Sequence, residues 1–265
     1  MNIDYFKKTS GYMIDGMWYP RVTSIIQTKS KPALYYFYAK AASYKEAEEK
    51  KKKAAAEGTE VHELFEKLVV GKPVKVPPKF IGIKQAFDEF LQQYNFFTKG
   101  DWLERRIRHP LHRYAGTFDM LAEINGTLSI LDIKTSASVY DDYRLQTAAY
   151  VYALNEEPWV LDEKGNKTLL HKDVEKRYIL WVNQIRKCQK CTAKLRLRSM
   201  GDKAEKGSAT CEHKWGNIEA EWELIDFDDP KDKENHIEKD FQGFVHCKGL
   251  WEWDNRKILE GIGYL

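Results

Sequence analysis

No stretch of this 265-residue sequence approaches the roughly eighteen consecutive apolar residues that a membrane-spanning helix requires. The opening MNIDYFKKTSGYMIDG has charges but no apolar run behind them, so no secretory signal is visible. Cysteine is scarce. Four are present, two of them in a Cys-x-x-Cys, which excludes a disulfide framework and points to a reducing compartment and a metal. An excess of one charge is missing as well: 43 Lys and Arg against 40 Asp and Glu leave a formal +3, which argues against a histone-like polycation. No repeat and no low-complexity linker divides the chain, so residues 1–265 read as one domain. What the sequence does have is aromatic residues, with 8 Trp, 15 Tyr and 12 Phe, and 43% apolar residues overall. Such a chain buries enough surface to offset its ordering entropy, which excludes disorder. The expectation is a globular cytoplasmic protein.

Along the chain, Gly11, Gly16 and Pro20 predict short strands and turns up to about Ile26. Apolar residues at intervals of three and four, opened by Pro32, predict a helix from Lys31 to about Leu68. Its Lys50–Lys53 run suits either phosphate contact or a solvated face. A second helix is expected from about Pro78 to Thr98, and a strand over Trp102 to Arg108. Tyr114 to Leu154 reads as strand, tight turn, strand, loop and helix; strands are expected again at Arg177–Val182 and Ile218–Ile225. A last helix is expected from about Asp232 to Trp253.

Asn125-Gly126 lies between two strand-like runs, 118–124 and 127–134, the pattern of a two-residue type I′ hairpin. Pairing Ile124 with Thr127 sets Asp119 directly opposite Asp132. Such neighbours have Cβ atoms roughly 4.5–5.5 Å apart and share a face. Lys134 projects on that face and Ile133 on the other. Two carboxylates and an ammonium among Phe118, Met120, Ile130 and Leu131 make a poorly solvated seat for a divalent cation. A solvent-facing patch of the same composition is the alternative.

Upstream, Gly58, His62 and Glu66 recur at i, i+4, i+8 on one helix face. A helical glycine marks the close approach of another backbone, and His62 is either a metal ligand or a satisfied core histidine. Downstream, Gln146 and Tyr150 lie one helical turn apart beside small residues, where a structural hydrogen bond is the default.

Taken together, Gly58-x-x-x-His62, Gly116-Thr117-Phe118-Asp119, Asp132-Ile133-Lys134-Thr135-Ser136 and Gln146-x-x-x-Tyr150 resemble the PD-(D/E)XK nuclease superfamily, and more closely the RecB-like exonucleases of single-domain phage and bacterial type. The segment Tyr19-Pro-Arg-Val-Thr-Ser-Ile-Ile also looks like the start of such proteins. The resemblance implies an α/β fold with an α/β/α restriction-endonuclease-like core, its mixed sheet flanked by helices. It implies hydrolysis of DNA phosphodiesters with one or two Mg²⁺ or Mn²⁺ ions. Carried over by position, Asp119, Asp132, His62 and the main-chain carbonyl of Ile133 would be metal ligands, with Glu104 at a further acidic position that binds a second ion. Lys134 would orient the attacking water, and Gln146 and Tyr150 would hold the DNA backbone or the lysine. Thr117 stands where the superfamily's name has proline, a departure common among RecB-like members.

Residues 186–216 form an insertion. Cys188 and Cys191, followed by Cys211 and His213, are compatible with a tetrahedral zinc knuckle holding a hairpin, with His246 and Cys247 as alternative ligands and unliganded thiols as the other reading. The spacing does not resemble the iron–sulfur arrangement of some relatives. Nine basic and three acidic residues between Arg186 and Lys214 make the insertion a candidate strand-guiding arm. Trp102, Tyr114, Tyr140 and Tyr143 are candidates for base stacking. The expected function is a DNA exonuclease acting on ends or single strands in recombination, repair or phage DNA processing. A structure-specific endonuclease and a catalytically silent nucleic-acid-binding module are the alternatives.

Overall fold

A computed structural model describes residues 2–231 and 236–265. In chain order the elements are α1 (Ile3–Ser10), β1 (Gly11–Ile14), β2 (Met17–Pro20), α2 (Val22–Ile26), α3 (Pro32–Lys40), α4 (Tyr44–Val69), α5 (Ile81–Gln93), β3 (Phe96–Phe97), β4 (Leu103–His109), β5 (Tyr114–Ile124) and β6 (Thr127–Lys134). There follow α6 (Asp141–Glu156), β7 (Trp159–Leu161), β8 (Lys167–Leu169), β9 (Lys176–Cys188), β10 (Lys194–Arg196), β11 (Lys203–Glu205), β12 (Trp215–Asp226) and α7 (Ile237–Gly261). No helix among the described residues is long and apolar enough to cross a membrane.

The main sheet runs β11-β10-β9-β6-β5-β4-β7-β8, with β12 also on β9 and β3 on β5. It is mixed: β6 and β9 pair parallel, and the other neighbours pair antiparallel. A parallel pair needs a crossover, and α6 lies in the connection between β6 and β9. Helices cover both faces. Val61, Leu64 and Phe65 of α4 and Phe87 and Phe90 of α5 pack with Met120, Leu131 and Ile133 on one side. Residues of α2, α6 and α7 pack with Tyr114, Phe118 and Ile130 on the other. The fold is thus α/β with a mixed sheet between helices.

Several elements differ from expectation. The N-terminal segment contains α1, nucleated where Asn2 Oδ1 accepts from the Tyr5 amide at 3.1 Å. The long helix from Lys31 is two helices, because Ser43 caps a new start. Its side chain accepts from the Glu46 amide, and Glu46 Oε2 accepts from the Ala42 amide, a variant of the capping box. The helix expected over 78–98 ends at Gln93, and Phe96–Phe97 joins the sheet instead. The hairpin β7–β8 has no counterpart in the expectation. The start expected for the last helix, Asp232, lies outside the described residues.

Buried His109 on β4 lies against Tyr114 and stacks on Phe241, and its Nδ1 accepts from the His112 amide at 3.3 Å. Burial, then the His112 charge, hold its pKa down to about 4. An unfolded histidine titrates near 6.5. The unfolded chain therefore binds the proton first, so this contribution is complete above about pH 6.5 and is lost as pH falls towards 4, at about 3 kcal/mol. Urea midpoints at pH 7 and 4.5 check this: the wild type should lose more stability on acidification than His109→Gln, and equal losses would refute it.

Candidate active site

The Asn125-Gly126 turn has both residues at positive φ, 51° and 85°, as a type I′ turn demands, and β5 pairs with β6 from Ile124↔Thr127 to Met120↔Leu131. Continuing that register puts Asp119 opposite Asp132, just past the last ladder pair. There the ladder gives way to a side-chain bond, since Asp119 Oδ2 accepts from the Ile133 amide at 2.8 Å. On the other side of β5, Leu103 pairs with Met120 and Arg105 with Phe118, which brackets Glu104 against Asp119. Glu104 has φ 48°, a conformation that L side chains rarely adopt. At this level the alternation of both strands changes phase: Phe118 and Ile107 face one core while Met120 and Leu103 face the other. The fault turns two acids towards one point.

α4 supplies the third member. His62 Nδ1 is 3.4 Å from Asp119 Oδ2, and the ligand atoms of His62, Glu104 and Asp119 all lie within 4.8 Å of one another. Partial desolvation, and then repulsion from Asp119, Glu66 and Asp132, push the Glu104 carboxyl up. Glu66, half-buried on the same helix face as His62, is likewise raised by burial, with His62 opposing.

Asp132 is 1% exposed. Lys134 Nζ stands 2.5 Å from its Oδ2 as an ion pair, and among the described residues Oδ1 has no hydrogen-bond donor. Burial, and then repulsion from Asp119, raise its carboxyl to about 6 against the pull of Lys134. Burial opposes the charge on Lys134, but attraction to Asp132 and Asp119 prevails and raises its pKa. The Lys134 ammonium also lies over the Tyr143 ring, 5.0 Å from its centre.

On α6, Gln146 Nε2 donates to Tyr150 Oη at 3.0 Å. The Tyr150 ring is buried against Gly116, where a Cβ would come within 2.5 Å of Tyr150 Cε1 and 3.3 Å of Val22 Cγ2. Gly116→Ala should therefore destabilise by about 1–3 kcal/mol, read from urea unfolding; an unchanged midpoint would contradict the close contact. Gly58 differs from expectation. Among the described residues no backbone approaches it, the nearest atom to an added Cβ being Thr135 Oγ1 at 3.7 Å, and the space it leaves opens on a cleft. That cleft, about 320 Å³, lies between α4 and the end of β6, with His62, Lys134 and Tyr143 in its wall.

Of the aromatic candidates, Tyr114 cannot stack a base: it is wholly buried, its hydroxyl donating to the Ala149 carbonyl at 2.8 Å. Trp102 packs partly buried against the core, Tyr140 is exposed, and Tyr143 lines the cleft. Lys50 and Lys51 are occupied by Glu46 and Glu48 on their own helix, which favours the solvated-face reading of that run. Arg198 and Met200 of the insertion also line the cleft, and their sequence carries no signal for this beyond basic charge.

In the insertion, Cys188, Cys191, Cys211 and His213 bring their ligand atoms within 4.8 Å of one another, a Cys3His cluster that could hold a metal ion. Cys188 Sγ is 4.0 Å from Cys211 Sγ, and Cys191 Sγ is 3.5 Å from His213 Nδ1. Cys247 is elsewhere, partly buried against the α2–α6–α7 core. No protein-family model and no curated protein matches this chain.

Proposed function

We propose that this chain is a metal-dependent deoxyribonuclease of the PD-(D/E)XK type, with a restriction-endonuclease-like core, that acts as a RecB-like exonuclease on DNA ends or single strands. The observation that carries the reading is the setting of Asp132: a buried carboxylate with Lys134 on Oδ2 and no donor on Oδ1 among the described residues, beside a carboxylate pair and a histidine that leave negative charge uncompensated. Such a set is costly alone and is completed by a cation. The donors fit the ion class: carboxylate oxygens with a peptide carbonyl suit Mg²⁺, and the imidazole of His62 shifts preference towards Mn²⁺. When bound, such an ion supplies charge neutralisation for the phosphate and for the attacking and leaving oxygens.

The chain's own residues do the rest. Asp119 accepts the Ile133 amide and so fixes the peptide whose neighbouring carbonyl is a further ligand candidate. Lys134, held by Asp132 and capped by Tyr143, is placed to orient the water and to offset charge growing on the phosphate. Water oxygen bonds to phosphorus as the bond to the leaving sugar oxygen breaks, one proton passing from the water to solvent and one from solvent to the leaving oxygen. Tyr150, fixed by Gln146 and Gly116, lies close enough to Asp132 and Asp119 to feel their charge. The Cys3His set suits zinc, because thiolate and imidazole prefer that ion and the spacings match a tetrahedral site, where sulfurs lie roughly 3.8 Å apart.

The test compares end-labelled linear DNA with closed circular DNA, in MgCl₂ or EDTA. The reading predicts loss of the linear substrate alone, and only with the ion. Nicking of the circle would make the protein an endonuclease. DNA retarded but uncut in both lanes would overturn hydrolysis and leave a binding module.

A further inference from the structure

The cysteine insertion does more than decorate the sheet. The distal half of β9 runs past the end of β6, whose last pair is Lys134↔Trp181, and β10 takes the vacated edge at Lys194↔Lys187, Leu195↔Arg186 and Arg196↔Ile185. The chain leaving β10 stays over that edge, the Leu197 amide donating to the Gln184 carbonyl at 3.1 Å. It then crosses to α4. Ser199 donates its amide to Glu57 Oε2 at 2.6 Å and its hydroxyl to the Lys53 carbonyl at 3.2 Å, while the Arg198 amide donates to Asp202 Oδ1 at 3.1 Å. Residues 197–201 thus form a strap fastened to the sheet at one end and to α4 at the other, along the cleft that holds Lys134.

Arg198 is the charged residue of the strap that lines this cleft. Nη2 donates to Asn183 Oδ1 at 2.8 Å, which aims the guanidinium, but among the described residues no carboxylate forms an ion pair with it. Burial, and then the like charge of Arg196, lower its pKa. Glu57 and Glu205 attract it through space without pairing with it, so a partly desolvated guanidinium with no direct ion pair, beside a lysine in a cleft, is set up for an anion. Its planar fork matches two phosphate oxygens.

The strap's root is the Cys3His cluster. Cys188 ends β9, its amide donating to the Ala193 carbonyl at 2.9 Å, and Gln189 donates to the Lys214 carbonyl at 2.8 Å. A metal there would close the β9–β10 connection and pin both ends of the insertion. Arg196, which is buried, passes the constraint on, with Nη1 donating to the Ala137 carbonyl at 2.8 Å in the loop that follows Lys134.

We propose that Arg198 is a substrate-anchoring residue that binds a backbone phosphate of the DNA strand in the cleft, and that metal at the Cys3His cluster holds the strap in the position this requires. The proposal rests on the nuclease reading above and deepens it.

The experiment measures binding of fluorescein-labelled single-stranded oligo-dT by anisotropy, in the Lys134→Met background so that DNA stays intact, together with steady-state cleavage in the otherwise wild-type chain. Arg198→Ala should weaken binding about tenfold and lower the slope of log K against log salt by about one, the mark of one lost phosphate contact. KM should rise with kcat within about threefold. Arg198→Lys should restore the salt slope but only part of the affinity. Cys191→Ser, zinc-free by metal analysis, should lose as much affinity as Arg198→Ala, and combining the two should add little. If the wild type binds and cleaves DNA while Arg198→Ala keeps its affinity and salt slope, the anchoring role is wrong. Full affinity in Cys191→Ser would overturn the metal's part in it. A wild type that neither binds nor cleaves DNA would overturn the nuclease reading and this inference with it.

Discussion

Lys134→Met is expected to lower metal-dependent DNA hydrolysis by roughly 10²–10³-fold, the scale of removing one preorganised group that stabilises transition-state charge. Methionine keeps an unbranched stem of similar length and removes the ammonium, and with it the cation–π contact to Tyr143. The variant also leaves Asp132 buried without its cation, and removing one partner of such a pair costs about 3–5 kcal/mol. Lost activity could then be blamed on lost stability. The double variant Asp132→Asn/Lys134→Met separates the two, because it removes both charges together. It should regain much of the stability in urea unfolding while remaining inactive. Activity returning with stability would show that Lys134 matters to the fold and not to the reaction.

The second large effect concerns the insertion. The purified protein should contain one zinc per chain, measured by plasma mass spectrometry, and stripping it with a strong chelator should release the insertion from its ordered state. Structural zinc contributes on the order of 10 kcal/mol to small domains that fold around it. Here the loss should stay local, because β9 is held along its first half by β6 and along nearly all its length by β12. Hydrogen exchange should therefore rise across residues 189–214 while β5 and β6 stay protected. Bound zinc absent from protein prepared without chelator, or exchange in 189–214 unmoved by chelation, would refute a structural metal.

The parts of the fold set by local chemistry were legible in the sequence. Asn125-Gly126 specifies a turn that only positive-φ residues fill, and that turn carries the register which places Asp119 across from Asp132. The gathering of Cys188, Cys191, Cys211 and His213 follows from a spacing that suits one hairpin. The start of α4 was written in Ser43 and Glu46 as well, though the unbroken helical periodicity from Lys31 masks it. Other features depend on tertiary contact and leave no local mark. Glu104 at positive φ is one, since no preference of glutamate signals it. The burial of Tyr114, whose sequence neighbourhood matches that of an exposed aromatic, is another. The strap is the largest: nothing in Arg198-Ser199-Met200 indicates that it reaches Lys53 and Glu57 on a helix more than a hundred positions earlier.

The fault at Glu104 and Asp119 links the fold to the candidate site. A regular ladder would send Phe118 and Met120 to one core and leave Asp119 in a uniform row. The phase change instead gives each core its apolar residues and turns the acids to the sheet end where His62 and Lys134 arrive. The near-neutral total charge fits the same division, with acids gathered at the centre and basic residues concentrated in the insertion.

On the nuclease reading, these acids form a cation site beside Lys134. Anomalous scattering at the manganese edge, from crystals soaked in MnCl₂, tests it most directly. A peak is expected roughly 2.0–2.4 Å from carboxylate oxygens of Asp119 and at least one of Asp132 and Glu104, absent in Asp119→Asn crystals soaked in the same way. A fully occupied peak elsewhere on the molecule with none at these residues, or a peak there that survives Asp119→Asn unchanged, would contradict it.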